Sequence, residues 1–153
     1  MPRSAPACQR GVGLIEVLVS VLILSIGLLG ISMVQARALS TNNSSMGRSM
    51  AVVASYSILE AMRADRANAL AGAYNQTLIG NSSCTVATTT TFAASQLAAW
   101  CAELRTTLGT ADSTRGTISC TATGDCTITI LFDDSRIGMG GDAYQQVLTR
   151  AVL

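Results

Sequence analysis

Residues 12–34 are almost entirely apolar, rich in Leu, Val and Ile, and carry one charge, Glu16; the next charged residue is Arg37. At 1.5 Å per residue, the 23 residues of this run span about 35 Å as a helix, enough to cross a bilayer. Residues 35–69 contain no Pro and one Gly, Gly47, and their larger apolar residues, Met46, Met50, Val53, Leu59 and Met62, recur near helical spacing. The pattern predicts that the helix continues. The polar stretch Ser40-Thr41-Asn42-Asn43-Ser44-Ser45 is weak helix material and predicts a frayed or bent turn there. A continuous helix over residues 14–66 would measure about 80 Å, too long to be buried in one small domain. Its first half is therefore expected to project, and its second half to lay an apolar face on a globular part.

Downstream, Gly72-Ala73-Tyr74-Asn75 and the Ser/Thr-rich run to Thr91 predict a long, weakly structured connection. Ser95 is placed as the N-cap of a second helix over residues 96–108, with Leu97, Trp100, Cys101, Leu104 and Leu108 on one stripe and Gly109 as its stop. The helical spacing of Trp100 with Leu97 and Leu104 assigns it to core packing rather than to ligand stacking. The C-terminal third changes texture. Residues 117–121, 126–132 and 145–153 read as three antiparallel strands, with Ile128, Ile130 and Phe132 alternating against Thr127 and Thr129. Thr123-Gly124-Asp125 supplies turn chemistry, and residues 133–142 form a connecting loop. Asp133, Asp134 and Asp142 in that loop raise the question of calcium, but their spacing matches no EF-hand and a solvated turn is the simpler reading. The fold class is α+β: a long N-terminal helix, one short extra helix and a small antiparallel sheet of about three strands.

With 153 residues and an anchor set aside, one small domain and a helical stalk remain. The 10 basic residues are all Arg, against 9 acidic, with no His. No basic surplus exists to hold nucleic acid through counterion release. Arg3 and Arg10 precede the apolar run, while Glu60 and every Asp follow it, so the positive-inside rule places the N-terminus in the cytoplasm and the body beyond the membrane. Beyond Cys8, four cysteines remain, Cys84, Cys101, Cys120 and Cys126, an even number suited to two disulfides in an oxidising periplasm. Three pairings are possible; Cys84 with Cys101 and Cys120 with Cys126 are preferred as nearest neighbours in sequence. Zinc is disfavoured by the spacings and the absence of His, and no cofactor is expected.

The lone carboxylate decides between readings of the N-terminus. A secretory signal has a shorter apolar core followed by a small-residue cleavage site, and neither is found. A lipid-modified cysteine should follow the core, whereas Cys8 precedes it. A plain anchor accounts for the length but not for Glu16, because an intramembrane acid needs a partner. A short Arg-bearing leader, Gly11, an apolar Val12, then Leu14-Ile15-Glu16 running into Val17-Leu18-Val19 resemble the prepilin signature of the type IV pilins. The resemblance implies cleavage by prepilin peptidase between Gly11 and Val12, N-methylation of Val12, and a role for Glu16 in neutralising the terminal amine of a neighbouring subunit during assembly. It also implies the division into a leader (1–11), a transmembrane and filament-core half-helix (12–34), a packed half-helix (35–70) and a periplasmic head (71–153). Family pilins carry a Pro along the projecting helix; here Gly27 and Gly30 stand in as weak points, each by about 1 kcal/mol relative to Ala, or as small residues for close helix contact.

No catalytic constellation is visible, and an enzyme is not expected. Leu14-Ile15-Glu16-Val17-Leu18-Val19 with Gly27-Leu28-Leu29-Gly30, Gln35 and Asp133-Asp134-Ser135-Arg136 resemble the PilV-type minor pilins, the type IV pilus modification proteins. That implies priming of pilus assembly, twitching motility, and as partners other minor and major pilins, prepilin peptidase, the inner-membrane assembly machinery and the lipid bilayer. The chain would sit in the inner membrane as a single-pass protein and then in the surface filament. Alternatives are a minor pseudopilin of type II secretion and a pilus-borne adhesin or DNA-uptake subunit.

Overall fold

A computed structural model describes residues 13–80, 84, 91–135 and 142–153. The expected leader and the Gly11–Val12 junction lie outside the described residues. The chain forms two compact units, Met1–Leu39 and Ser40–Leu153. The first helix, α1, runs over Leu14–Ala64, 51 residues. The turn expected to fray at residues 40–45 is helical throughout. Its hydroxyls explain why: Ser45 Oγ donates to the Thr41 carbonyl at 3.0 Å, and Ser44 Oγ donates to the carboxylate of Asp134. Side-chain oxygens that compete with the helix in isolation are here given partners that leave the backbone ladder intact.

Within Ser40–Leu153, α1 buries Ala51, Ala54, Ser55, Ile58, Leu59 and Met62. Two residues expected on that face are instead turned outward: Met46 is 56% and Val53 58% exposed. In the earlier part of this face the contact belongs to small side chains, with Ile58, Leu59 and Met62 following. A Cβ on Gly47 would lie 3.2 Å from the Phe132 ring, and Trp100 Nε1 donates to the Ala54 carbonyl at 2.9 Å, an approach that bulk at these positions would prevent. After Ala64 the chain turns at Asp65 into a five-residue helix, α2 (Arg66–Leu70). Asp65 then collects Asn68 Nδ2 at 2.7 Å and the hydroxyl of the fully buried Tyr74 at 3.2 Å.

Among the described residues four strands follow, one more than the about three expected. The additional one, β1 (Gln76–Ile79), lies in the expected loop; its four residues are too few for a period-2 pattern to stand out. It pairs antiparallel with β2 (Arg115–Cys120), which pairs with β3 (Asp125–Phe132), which pairs with β4 (Gln145–Val152), giving the order β1-β2-β3-β4. Along β3, Cys126, Ile128, Ile130 and Phe132 are buried, and the residues between them are not, so one face is core and the other is solvated. The hairpin turn over residues 121–124 closes with Thr121 and Gly124 backbone bonds and a positive φ of 97° at Gly124, a conformation suited to Gly.

The helix α3 occupies Phe92–Leu108, starting earlier than the expected Ser95 cap. Thr91 is the cap: its Oγ1 accepts from Ala94 N, while Ser95 Oγ turns back to the Phe92 carbonyl. Phe92-Ala93-Ala94 lacks the polar signal that marks a helix start, yet Ala93 and Ala94 are buried. The stripe of Leu97, Trp100, Cys101 and Leu104 packs into the core, with Leu108 half-buried at its end, and Gly109 caps the helix at φ 108°. Gly116 on β2 makes this packing possible, since a Cβ there would fall 2.5 Å from Trp100 and 2.7 Å from Leu104.

The tightness of this core is measurable. Gly116→Ala should destabilise the full chain in detergent by about 1–3 kcal/mol, the usual cost of overpacking, read as a fall in the urea midpoint; an unchanged midpoint contradicts the close contact. The Tyr74 phenol is pushed up to about 12 by burial first and then by the charge and hydrogen bond of Asp65. Its folded pKa lies above the unfolded value near 10, so the stability it contributes is complete below pH 10 and is lost as pH rises from about 10 to 12. Tyr74→Phe should cost about 1–2 kcal/mol at pH 7 and flatten that alkaline loss in unfolding measured against pH.

Candidate functional site

Gly13 precedes α1, and its carbonyl accepts from Glu16 N at 2.9 Å and Val17 N at 3.4 Å. Glu16 therefore sits in the first helical turn, where the partial positive charge of the free amides favours an acid. Its side chain is exposed and makes no ion pair among the described residues. Around it, Leu14, Ile15, Val17, Leu18 and Val19 are all exposed. Among the described residues of Met1–Leu39 nothing buries these side chains, and α1 is long and apolar enough to cross a membrane, with a mean hydropathy of 2.7 over its most apolar window, none of it buried.

The serines of the apolar run are internally satisfied. Ser20, Ser25 and Ser32 donate to the carbonyls four residues earlier, Glu16, Val21 and Leu28, at 2.6–2.9 Å. A hydroxyl bonded to its own helix presents little polarity to lipid or to another apolar helix. Glu16 lacks that option, because a carboxylate has no proton to donate. Gly27 and Gly30 lie further along, and a Cβ on either would meet no atom within 4 Å. Their small size therefore serves no contact within the chain, and they leave a shallow place on an otherwise bulky surface. An apolar helix whose one acid makes no ion pair among the described residues is a surface that water solvates poorly, and an acid in apolar surroundings calls for an opposite charge.

Residues 6–32 match the family model of the prokaryotic N-terminal methylation motif. The match spans Gly11, Val12 and Glu16 and most of the apolar run, and it supports a protein of the type IV pilin or pseudopilin kind, anchored in a membrane. That motif family is structural, not enzymatic. No curated protein and no solved structure matches the chain. The long N-terminal helix followed by a four-stranded antiparallel sheet and a short helix is a pilin-like arrangement.

The cysteines are joined Cys84 to Cys101 and Cys120 to Cys126. Cys120 and Cys126 are direct partners in the β2–β3 register, so the bridge closes the hairpin. Cys101 lies on the buried face of α3, so the other bridge fixes Cys84 to the core. The acidic loop serves the fold. Asp134 is 2% exposed, receives Ser44 from α1, and gives its backbone amide to the Asp142 carbonyl at 3.0 Å. Asp133 Oδ1 accepts from Ser135 N and Asp142 Oδ1 from Tyr144 N. The Ser44–Asp134 link carries no sequence signal, because the two residues lie 90 positions apart.

The two bridges should differ in worth. They close loops with separations of 17 and 6 residues, for which chain entropy gives about 3 and about 2 kcal/mol. Replacing each pair by Ser in the full chain should lower the unfolding midpoint more for Cys84 and Cys101; the reverse order contradicts an entropic origin.

Proposed function

We propose that this chain is a minor pilin of a type IV pilus, a structural subunit that enters the inner membrane, is cut by prepilin peptidase between Gly11 and Val12, is N-methylated on Val12, and joins other minor and major pilins during pilus assembly. The observation that carries the proposal is Glu16, placed in the first turn of an exposed apolar helix with no ion pair among the described residues, inside the matched methylation motif. After the cut, Val12 is the first residue and its amine is a cation. The amine of one subunit then neutralises Glu16 of a neighbour as the apolar half-helices pack together. Each charge removes the desolvation cost of the other, which is severe for an unpaired ion in an apolar medium. Residues 12–34 act as the anchor and then as the filament core, residues 35–70 as the packed half-helix and residues 71–153 as the periplasmic head.

The deciding test is chemical. The N-terminal peptide of the protein from its native membranes should begin at N-methylated Val12 by mass spectrometry; a chain beginning at Met1 refutes the proposal. Glu16→Ala should be cleaved normally yet enter sheared pili at a small fraction of the wild-type level, whereas Gly11→Leu should stay at precursor size. Loss of the gene should reduce twitching motility and leave secreted hydrolases unchanged. The opposite pattern assigns the chain to type II secretion instead.

A further inference from the structure

Within the unit Ser40–Leu153, the side of α1, the last turn of α3 and the end of β3 enclose a cleft of about 430 Å³. Pockets that take small molecules or single side chains run from about 300 to 1,000 Å³. Its lining is apolar along Met46, Met50, Leu108 and Phe132 and acidic at Asp133 and Asp134. Met46 is turned toward solvent here rather than toward the core. α3 ends at Leu108, and the carbonyls of a helix's last turn carry partial negative charge. None of the described residues that line the cleft is basic. It therefore joins a greasy floor to a negative end.

Asp134 defines what this end can hold. It is 2% exposed, and its carboxylate is met by a neutral hydroxyl, Ser44 Oγ, which donates to Oδ2. Among the described residues it forms no ion pair and Oδ1 accepts no hydrogen bond. A carboxylate so deep in a protein normally faces a cation or several donors. With Oδ2 taken, Asp134 offers one oxygen. A guanidinium grips a carboxylate with two parallel bonds, whereas an ammonium is a compact point charge on a four-carbon stem and needs one acceptor. The floor of Met46, Met50, Leu108 and Phe132 suits that stem, since long cationic side chains lay their methylenes on apolar surface. A bare metal ion makes no use of such a floor and calls for several more oxygens. All 10 basic residues of this chain are Arg, so neither the chain itself nor a second copy of it can supply a lysine.

We propose that this cleft docks a lysine side chain of a different protein, with the ammonium donating to Asp134 Oδ1 and the methylenes lying along Met46, Met50 and Phe132. Charge complementarity selects the occupant: the incoming cation compensates the buried carboxylate, and the negative end of α3 adds to the attraction. Every residue involved belongs to Ser40–Leu153, so the proposal does not rest on the pilin reading above.

The test uses the full-length chain in detergent, isotopically labelled at its methionine methyls, and titrates it with the Nα-acetyl amides of lysine, arginine and norleucine and with calcium chloride. The Met46 and Met50 methyl signals should shift saturably with the lysine probe. Its Kd should be several-fold below that of the arginine probe and about tenfold below that of norleucine, which has the stem without the charge. Asp134→Asn keeps an acceptor for Ser44 but removes the charge, and should weaken lysine binding about tenfold. Met46→Ser, at an exposed position, should weaken it several-fold and decides the matter should the Asp134 variant not fold. No saturable shift, norleucine bound as well as lysine, or wild-type affinity in either variant would overturn the proposal. Arginine bound as tightly as lysine would also overturn it, by admitting a second copy as the occupant, and the same shifts with calcium would do so by making the cleft a metal site.

Discussion

Close approach of α1 and α3 to the sheet holds the unit Ser40–Leu153 together, and the residues that permit it are the small ones. Gly47 lets the Phe132 ring come against α1, and Gly116 gives its missing side-chain volume to Trp100 and Leu104. Ala51 and Ala54 are buried while Met46 and Val53 point away. Burial favours apolar area, but helices pack only where surfaces interdigitate. Here contact distance outweighs side-chain size, and the single Trp anchors the result with a hydrogen bond to the Ala54 carbonyl.

The unit Met1–Leu39 follows the opposite logic. Its apolar helical side chains are exposed, the serines of the apolar run satisfy themselves, and its one acid makes no ion pair among the described residues. A surface of that kind gains by transfer into lipid or into a bundle of like helices. In the pilin role proposed above, the same free energy that would drive a soluble protein to aggregate would serve insertion and assembly. Glu16 adds selectivity, because an ion in such surroundings is tolerated where an opposite charge is fixed beside it.

Much of this was legible along the chain because it rests on local rules. The apolar run and the position of Glu16 are properties of adjacent residues, and α1, α3 and the strands β2 to β4 announce themselves through periods of 3.6 and 2. The alternation of Ile128, Ile130 and Phe132 with Thr127 and Thr129 states which face is buried. Gly109 marks the end of α3 through a backbone conformation that Gly adopts at little cost. What misled was also local: Ser95 has the chemistry of a cap, but Thr91 holds the position, and residues 40–45 look unable to stay helical until Asp134 is beside them.

The sequence by itself determined the anchor, the lone carboxylate, the α+β class and the compartment-dependent chemistry of the cysteines, since each depends on composition or on spacings of a few residues. The tertiary structure alone decided that β1 completes the sheet, that α1 turns Ala51 and Ala54 inward and Met46 and Val53 outward, and that Ser44 and Asp134 meet. It also decided that β4, among the described residues, pairs on one side only. Such outcomes depend on pairing and contact between segments tens of residues apart, where many arrangements satisfy the same local pattern and close packing selects among them.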